Sequence, residues 1–116
     1  MTNAAPRPGK KVRGSDTGRP IMALLDLLGR RWALRILWEL HTRDACTFRD
    51  LQTACGDISP SVLNSRIGEL RQAGFVENIP SAGYQLTSTG RNLITGLTPL
   101  NTFAANWAAQ LEKSAG

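Results

Sequence analysis

Apolar residues recur at helical intervals over most of the chain and give way to short extended stretches on either side of residue 80. Ile21, Leu24, Leu25 and Leu28 stand at i, i+3, i+4 and i+7, which predicts a short amphipathic helix that Gly29 breaks. A second helix is predicted over 31–41, with Trp32, Ile36, Leu37 and Leu40 on one face and Leu34 and Trp38 on a further apolar flank. Apolar on two sides, it reads as the central buried helix. A short extended piece over 46–48 leads to a third helix over 49–54, ended by Gly56. Ser59 and Pro60 are a cap followed by a residue pre-set for the first helical position, and they open a helix over 60–73 that Gly74 closes. Within it Leu63, Ile67 and Leu70 face the core, while Ser61, Ser65, Gly68 and Gln72 fall on the opposite side. Asn64 and Arg71 lie on one flank, Arg66 and Glu69 nearer the other.

Extended segments over 75–79 and 84–87 enclose the turn-forming run Pro80-Ser81-Ala82-Gly83, a β-hairpin signature. Thr87 or Ser88 can cap a last helical region in which Leu93, Leu97, Leu100, Ala104, Trp107 and Leu111 are spaced alternately by four and three. That stripe is what a helix presents to a partner helix, and Thr98-Pro99 in its middle predicts a kink or two consecutive helices. Taken in order, these elements make a mainly α fold with a small β-hairpin, an α+β class. This is the order of a winged helix-turn-helix of the DNA/RNA-binding three-helical bundle type, with the hairpin as the wing. A helix about 10–12 Å across fits the DNA major groove, so the polar face of 60–73 can meet base edges while its apolar face holds the scaffold.

Length and charge narrow the picture. With 116 residues, 41% of them hydrophobic, the chain is sized for one domain with a small core. Residues 1–20 hold Pro6, Pro8, Pro20, Gly9, Gly14 and Gly18 with little apolar content and read as a flexible basic tail, leaving a domain over 21–113. Five of the fourteen cations and one of the nine acids fall in that tail, which is therefore at +4 while the rest of the chain is at +1. DNA recognition must then rest on a few placed arginines rather than on bulk charge. Asp26, Arg30, Arg31, Arg35 and Glu39 interrupt the richest apolar stretch, so no membrane span is expected. With no signal-peptide pattern either, a cytoplasmic location is expected. Cys46 and Cys55 have no metal-ligand or disulfide spacing and read as two small buried side chains. His41 is the only histidine, and no nucleophile–base set, phosphate loop or metal cluster accompanies it, so neither enzyme activity nor a cofactor is expected.

The chain also resembles a family, the HxlR-type transcriptional regulators of the wider MarR-like winged-helix group. The likeness lies in Leu27-Leu28-Gly29-Arg30-Arg31-Trp32 with Ile36-Leu37-Trp38-Glu39-Leu40, and in Phe48-Arg49-Asp50-Leu51. It continues through Ile58-Ser59-Pro60-Ser61-Val62-Leu63-Asn64-Ser65-Arg66 with Glu69-Leu70, Gly74-Phe75-Val76, and Tyr84-Gln85-Leu86-Thr87 with Gly90. It covers about residues 21–107 and implies a homodimeric DNA-binding regulator whose terminal helices pair between two chains. Family members that sense thiol-reactive compounds usually do so through a cysteine before the central helix, and this chain has none there. The wing tip, Pro80 to Gly83, carries no lysine or arginine.

The expected DNA-contacting set is Ser59, Ser61, Asn64, Ser65, Arg66, Gly68 and Arg71, with Arg49 before them and Lys10, Lys11 and Arg13 from the tail. Asn64 has the geometry to pair with adenine, the serines suit bases or phosphate, and the arginines suit phosphate or guanine. Gly68, costly inside a helix, reads either as close approach by DNA or a neighbouring element or, equally, as simple tolerance of a weak position. The expected dimer interface is Leu24, Leu93, Leu97, Leu100, Phe103, Ala104, Trp107 and Leu111. The functional expectation is a repressor that binds a pseudo-palindromic operator in double-stranded DNA as a homodimer and responds to an unknown signal. A small-molecule effector between the dimer helices, near Trp32, Trp38 and Trp107, is compatible with it. The alternative is a winged-helix protein-interaction module that does not bind DNA.

Overall fold

The computed structural model describes residues 5–115, so the first four residues of the expected tail lie outside it. Pro20, whose fixed φ suits a first helical position, opens α1 (Pro20–Leu28), which buries Ala23, Leu27 and Leu28. α2 (Ala33–His41) starts two residues later than its apolar pattern predicts, because Trp32 adopts a left-handed φ of 78°. That conformation is uncommon outside glycine and ends the turn through which the chain passes from α1 into α2. Ile36, Leu37 and Leu40 of α2 are buried, but its second apolar flank is not: Leu34 is 48% and Trp38 53% exposed. The helix is central yet covered on one side only.

α3 (Phe48–Ala54) is capped by the Thr47 hydroxyl, which accepts from the Asp50 amide at 3.1 Å. α4 (Pro60–Gln72) is capped in the same way by Ser59, which accepts from the Val62 amide at 3.2 Å. Leu51, Leu63, Ile67 and Leu70 close the core between these two helices and α2. β1 (Val76–Ile79) and β2 (Gly83–Leu86) form an antiparallel hairpin running from the pair Val76 and Leu86 to the pair Ile79 and Gly83. The extended piece expected at 46–48 becomes a single rung on the hairpin's edge: Cys46 and Tyr84 each donate an amide to the other's carbonyl at 2.8 Å. Gly83 permits this approach, having φ 111° and no room for a Cβ against the Cys46 backbone.

α5 (Ser88–Ala115) is one helix, without the division expected at Thr98-Pro99. Proline removes the amide that Thr95 would have received, but Thr95 is exposed, so its carbonyl is open to water. The hydroxyls of Thr95 and Thr98 also bond the carbonyls of Arg91 and Ile94, one turn back, at 3.2 Å each. Ile94 is buried, whereas every residue from Leu100 to Ala115 is exposed. At 1.5 Å per residue that outer half projects about 24 Å from the body. No helix among the described residues is long and apolar enough to cross a membrane.

Residues 5–19, expected as a flexible tail, instead follow a defined path. Gly9 donates to the Gly18 carbonyl at 2.9 Å, and Val12 and Ser15 exchange both backbone hydrogen bonds across a tight turn. Gly9, Gly14 and Gly18 all have positive φ, so the glycines counted as a sign of disorder are the residues that permit this loop. The Arg13 amide donates to Asp26 of α1, the Ala5 amide to Gln72 of α4, and Ala5 and Val12 are buried.

Candidate nucleic-acid interface

The cap at Ser59 fixes the start of α4, and its apolar stripe fixes the rotation of the helix. Ser61, Asn64 and Arg71 are consequently exposed, and Ser65 and Gly68 partly so. The Ser59 oxygen is occupied by the cap bond yet remains at the surface, 3.4 Å from the Ser61 hydroxyl. A Cβ at Gly68 would meet nothing within 4 Å, so no neighbouring element explains that glycine and the space above it is open. Between α4 and the hairpin lies a shallow groove of about 190 Å³ whose lining includes Asn64, Ser65, Gly68, Arg71 and Tyr84. Tyr84, expected only as a strand residue and part of the family likeness, joins the groove lining, which a strand pattern of four residues does not reveal.

The cations divide into two kinds. Arg49 and Arg71 are exposed and make no ion pair among the described residues; Arg49 in particular does not pair with its neighbour Asp50 or with Asp57. Arg66 differs from its expected role. Its Nε donates to the Arg31 carbonyl at 2.8 Å and its Nη1 to Glu69 Oε1 at 2.8 Å. The other Glu69 oxygen accepts from Arg30, and the carboxylate is 4% exposed. At 100° per residue Arg66 lies close to the Leu63–Leu70 stripe, so a guanidinium there meets the α1–α2 turn before it meets solvent. It fastens α4 to that turn and is not presented to a groove. The sequence signal for Glu69 as a partner is its position three after Arg66; its other partner, Arg30, lies 39 residues away and is linked to it by no local spacing.

Cys46 and Cys55 are buried, as read, and burial pushes both thiols above their ordinary value of 9.0, with Asp50 and Glu39 adding to the effect at Cys46 and Glu39 at Cys55. Protonated at neutral pH, they are poor nucleophiles. No group of three or more metal-ligating side chains comes together among the described residues.

A second surface lies on the far side of α2. Ile21, Leu25, Leu34, Trp38, Leu100, Phe103, Trp107 and Leu111 are large, apolar and about half exposed or more. Of the expected dimer residues, Leu100, Phe103, Ala104, Trp107 and Leu111 are exposed, but Leu24, Leu93 and Leu97 pack against the protein's own core. Ile21, Leu25, Leu34 and Trp38, outside the expected set, are exposed. Trp32 packs against the core with Arg31 over its ring, apart from these exposed residues.

The model for HxlR-like helix-turn-helix proteins matches residues 27–112, spanning every element from the end of α1 through the hairpin into the outer half of α5. The chain belongs to the HxlR-like helix-turn-helix family. Its HxlR-type winged helix-turn-helix fold marks it as a DNA-binding protein of transcription regulation. A relative from Bacillus subtilis (strain 168), the uncharacterized HTH-type transcriptional regulator YvaP, is 29% identical over 89 residues, which is 72% of this chain and 82% of that protein. The structure of a possible HxlR family transcriptional factor from Thermoplasma volcanium GSS1 superposes with a TM-score of 0.65 at 28% identity, over 78% of this chain and 85% of the other. Quinone-bound YodB from B. subtilis gives a TM-score of 0.64 at 28% identity, over 78% of this chain and 96% of the other.

Proposed function

We propose that this HxlR-type protein is a cytoplasmic repressor that binds operator DNA as a homodimer, with α4 of each copy in a major groove. The observation that carries the reading is the uncovered polar face of α4. Ser61, Asn64, Ser65 and Arg71 stand along it, and Gly68, with no described atom within 4 Å of where a Cβ would sit, leaves its centre bare. Asn64 has the donor and acceptor pair that matches adenine, and Arg71 suits guanine or phosphate. Arg49, at the start of the preceding helix, is free to take a phosphate. The homodimer rests on the apolar surface of α1, α2 and α5, since an isolated helical arm of this length is marginal in water and gains stability from a partner.

The test is selection of bound duplexes from a random pool, followed by titration of the winning sequence with wild type, Asn64→Ala and Arg71→Ala. A two-fold-symmetric site with half-sites about 34–36 Å apart is expected, and each substitution should weaken binding about tenfold or more. No enrichment by a folded dimer would sink the reading and favour a protein-interaction role for the same scaffold.

A further inference from the structure

Residues 5–19 lie outside the family match, which begins at residue 27, and they are neither loose nor distant from α4. Their start is pinned to the recognition helix itself, where the Ala5 amide donates to Gln72 Oε1 at 3.2 Å. By helical geometry Gln72 falls on the same side of α4 as Ser61, Ser65 and Gly68. The segment therefore leaves from the C-terminal end of the polar face and continues it. From there the backbone closes on itself at Gly9 and Gly18, turns tightly at 12–15, and is held to α1 by Arg13 and Asp26. This clasp directs charge outward: Arg7, Lys10, Lys11, Arg13 and Arg19 are all exposed. Asp16 is the only acid among them and lies 3.8 Å from Lys11, with both side chains at the surface.

We infer that this clasp is a second nucleic-acid contact, a preformed cationic knuckle that takes the phosphates of duplex DNA lying beyond the half-site read by α4. The inference rests on the proposed role of α4 and adds to it a longer footprint. Three features favour phosphate over any other occupant. The charge is concentrated, at +4 within the first twenty residues against +1 for all the rest. The surface carries five exposed cations, and the apolar residues Ala5 and Val12 are turned inward. The loop is ordered by its own backbone bonds, so binding does not bear the entropy that ordering a free tail would cost. Base readout is not expected from it, since phosphate contacts position without specifying.

The experiment uses the selected operator as two duplexes, one trimmed to the symmetric site and one carrying ten arbitrary base pairs on each side. Affinity is titrated against salt for wild type and for Lys10→Gln/Lys11→Gln/Arg13→Gln, whose replaced side chains are exposed and whose melting temperature should match wild type. On the long duplex the triple variant should show a log–log salt slope shallower than wild type by about 2–3, because each neutralised phosphate contributes about 0.9. On the trimmed duplex the two slopes should coincide. Equal slopes on the long duplex, or the same difference on both duplexes, would overturn the inference while leaving the role of α4 intact. Failure of the wild type to bind any selected duplex would overturn both.

Discussion

Glu69 is the only buried charged side chain among the described residues, and its two oxygens are divided between Arg30 and Arg66. Both guanidiniums keep about a quarter of their side chains exposed, at 23% and 24%. Replacing Glu69 with alanine strands two partly buried cations of like sign, and the cost should be about 2–3 kcal/mol, just below that of breaking a fully buried pair. Urea denaturation of Glu69→Ala checks this. Arg66→Ala should also lose stability but keep the wild-type salt slope of DNA binding, whereas Arg71→Ala should flatten it by about 1 if its partner is a phosphate. Gly68 makes the opposite case. Alanine there meets no atom and should raise stability by about 1 kcal/mol through helix propensity alone. In the groove, the added methyl group would occupy the closest point of approach, so operator affinity should fall as the melting temperature rises. An affinity equal to wild type would show that DNA does not come near Gly68.

At the scale of elements, the outer half of α5 carries the sharpest expectation. Phe103→Glu/Trp107→Glu places charges on the exposed outer half of the stripe, so the core should survive while the proposed dimer separates. Light scattering at micromolar concentration, with circular dichroism as the control for folding, distinguishes a monomer from an unfolded chain. The elements themselves were largely legible in the sequence, because apolar spacing, two Ser/Thr caps and the Ser59-Pro60 signal are local. Two of three departures have a non-local cause. α2 starts late where Trp32 is left-handed, in the turn that Arg66 and Glu69 fasten. α5, by contrast, runs through Pro99 because the carbonyl left without an amide belongs to exposed Thr95 and is open to water. Residues 5–19 fold because Gln72 and Asp26, far along the chain, supply acceptors. The candidate site was legible to the extent that helical rotation decides exposure. Asn64, Arg71 and the serines follow from the stripe of Leu63, Ile67 and Leu70, whereas the diversion of Arg66 needed the position of Arg31 in space.

Over the whole molecule, the exposed polar and cationic side chains of α4 and the clasp stand apart from the exposed apolar side chains of α1, α2 and α5. The turn of Arg30 and Arg31 is joined to α1 and α2 by the chain and to α4 by the Arg30–Glu69 ion pair and the Arg66 hydrogen bond to the Arg31 carbonyl. α5 extends the molecule, whose longest dimension is 51 Å. Its exposed outer half follows every buried residue in the sequence, so the body closes on itself without the arm. Under the proposed homodimer, pairing is then an encounter between two completed bodies. Folding should be indifferent to how many copies are present, while assembly of scarce copies should rise with the square of their number. Dilution would leave single, folded copies.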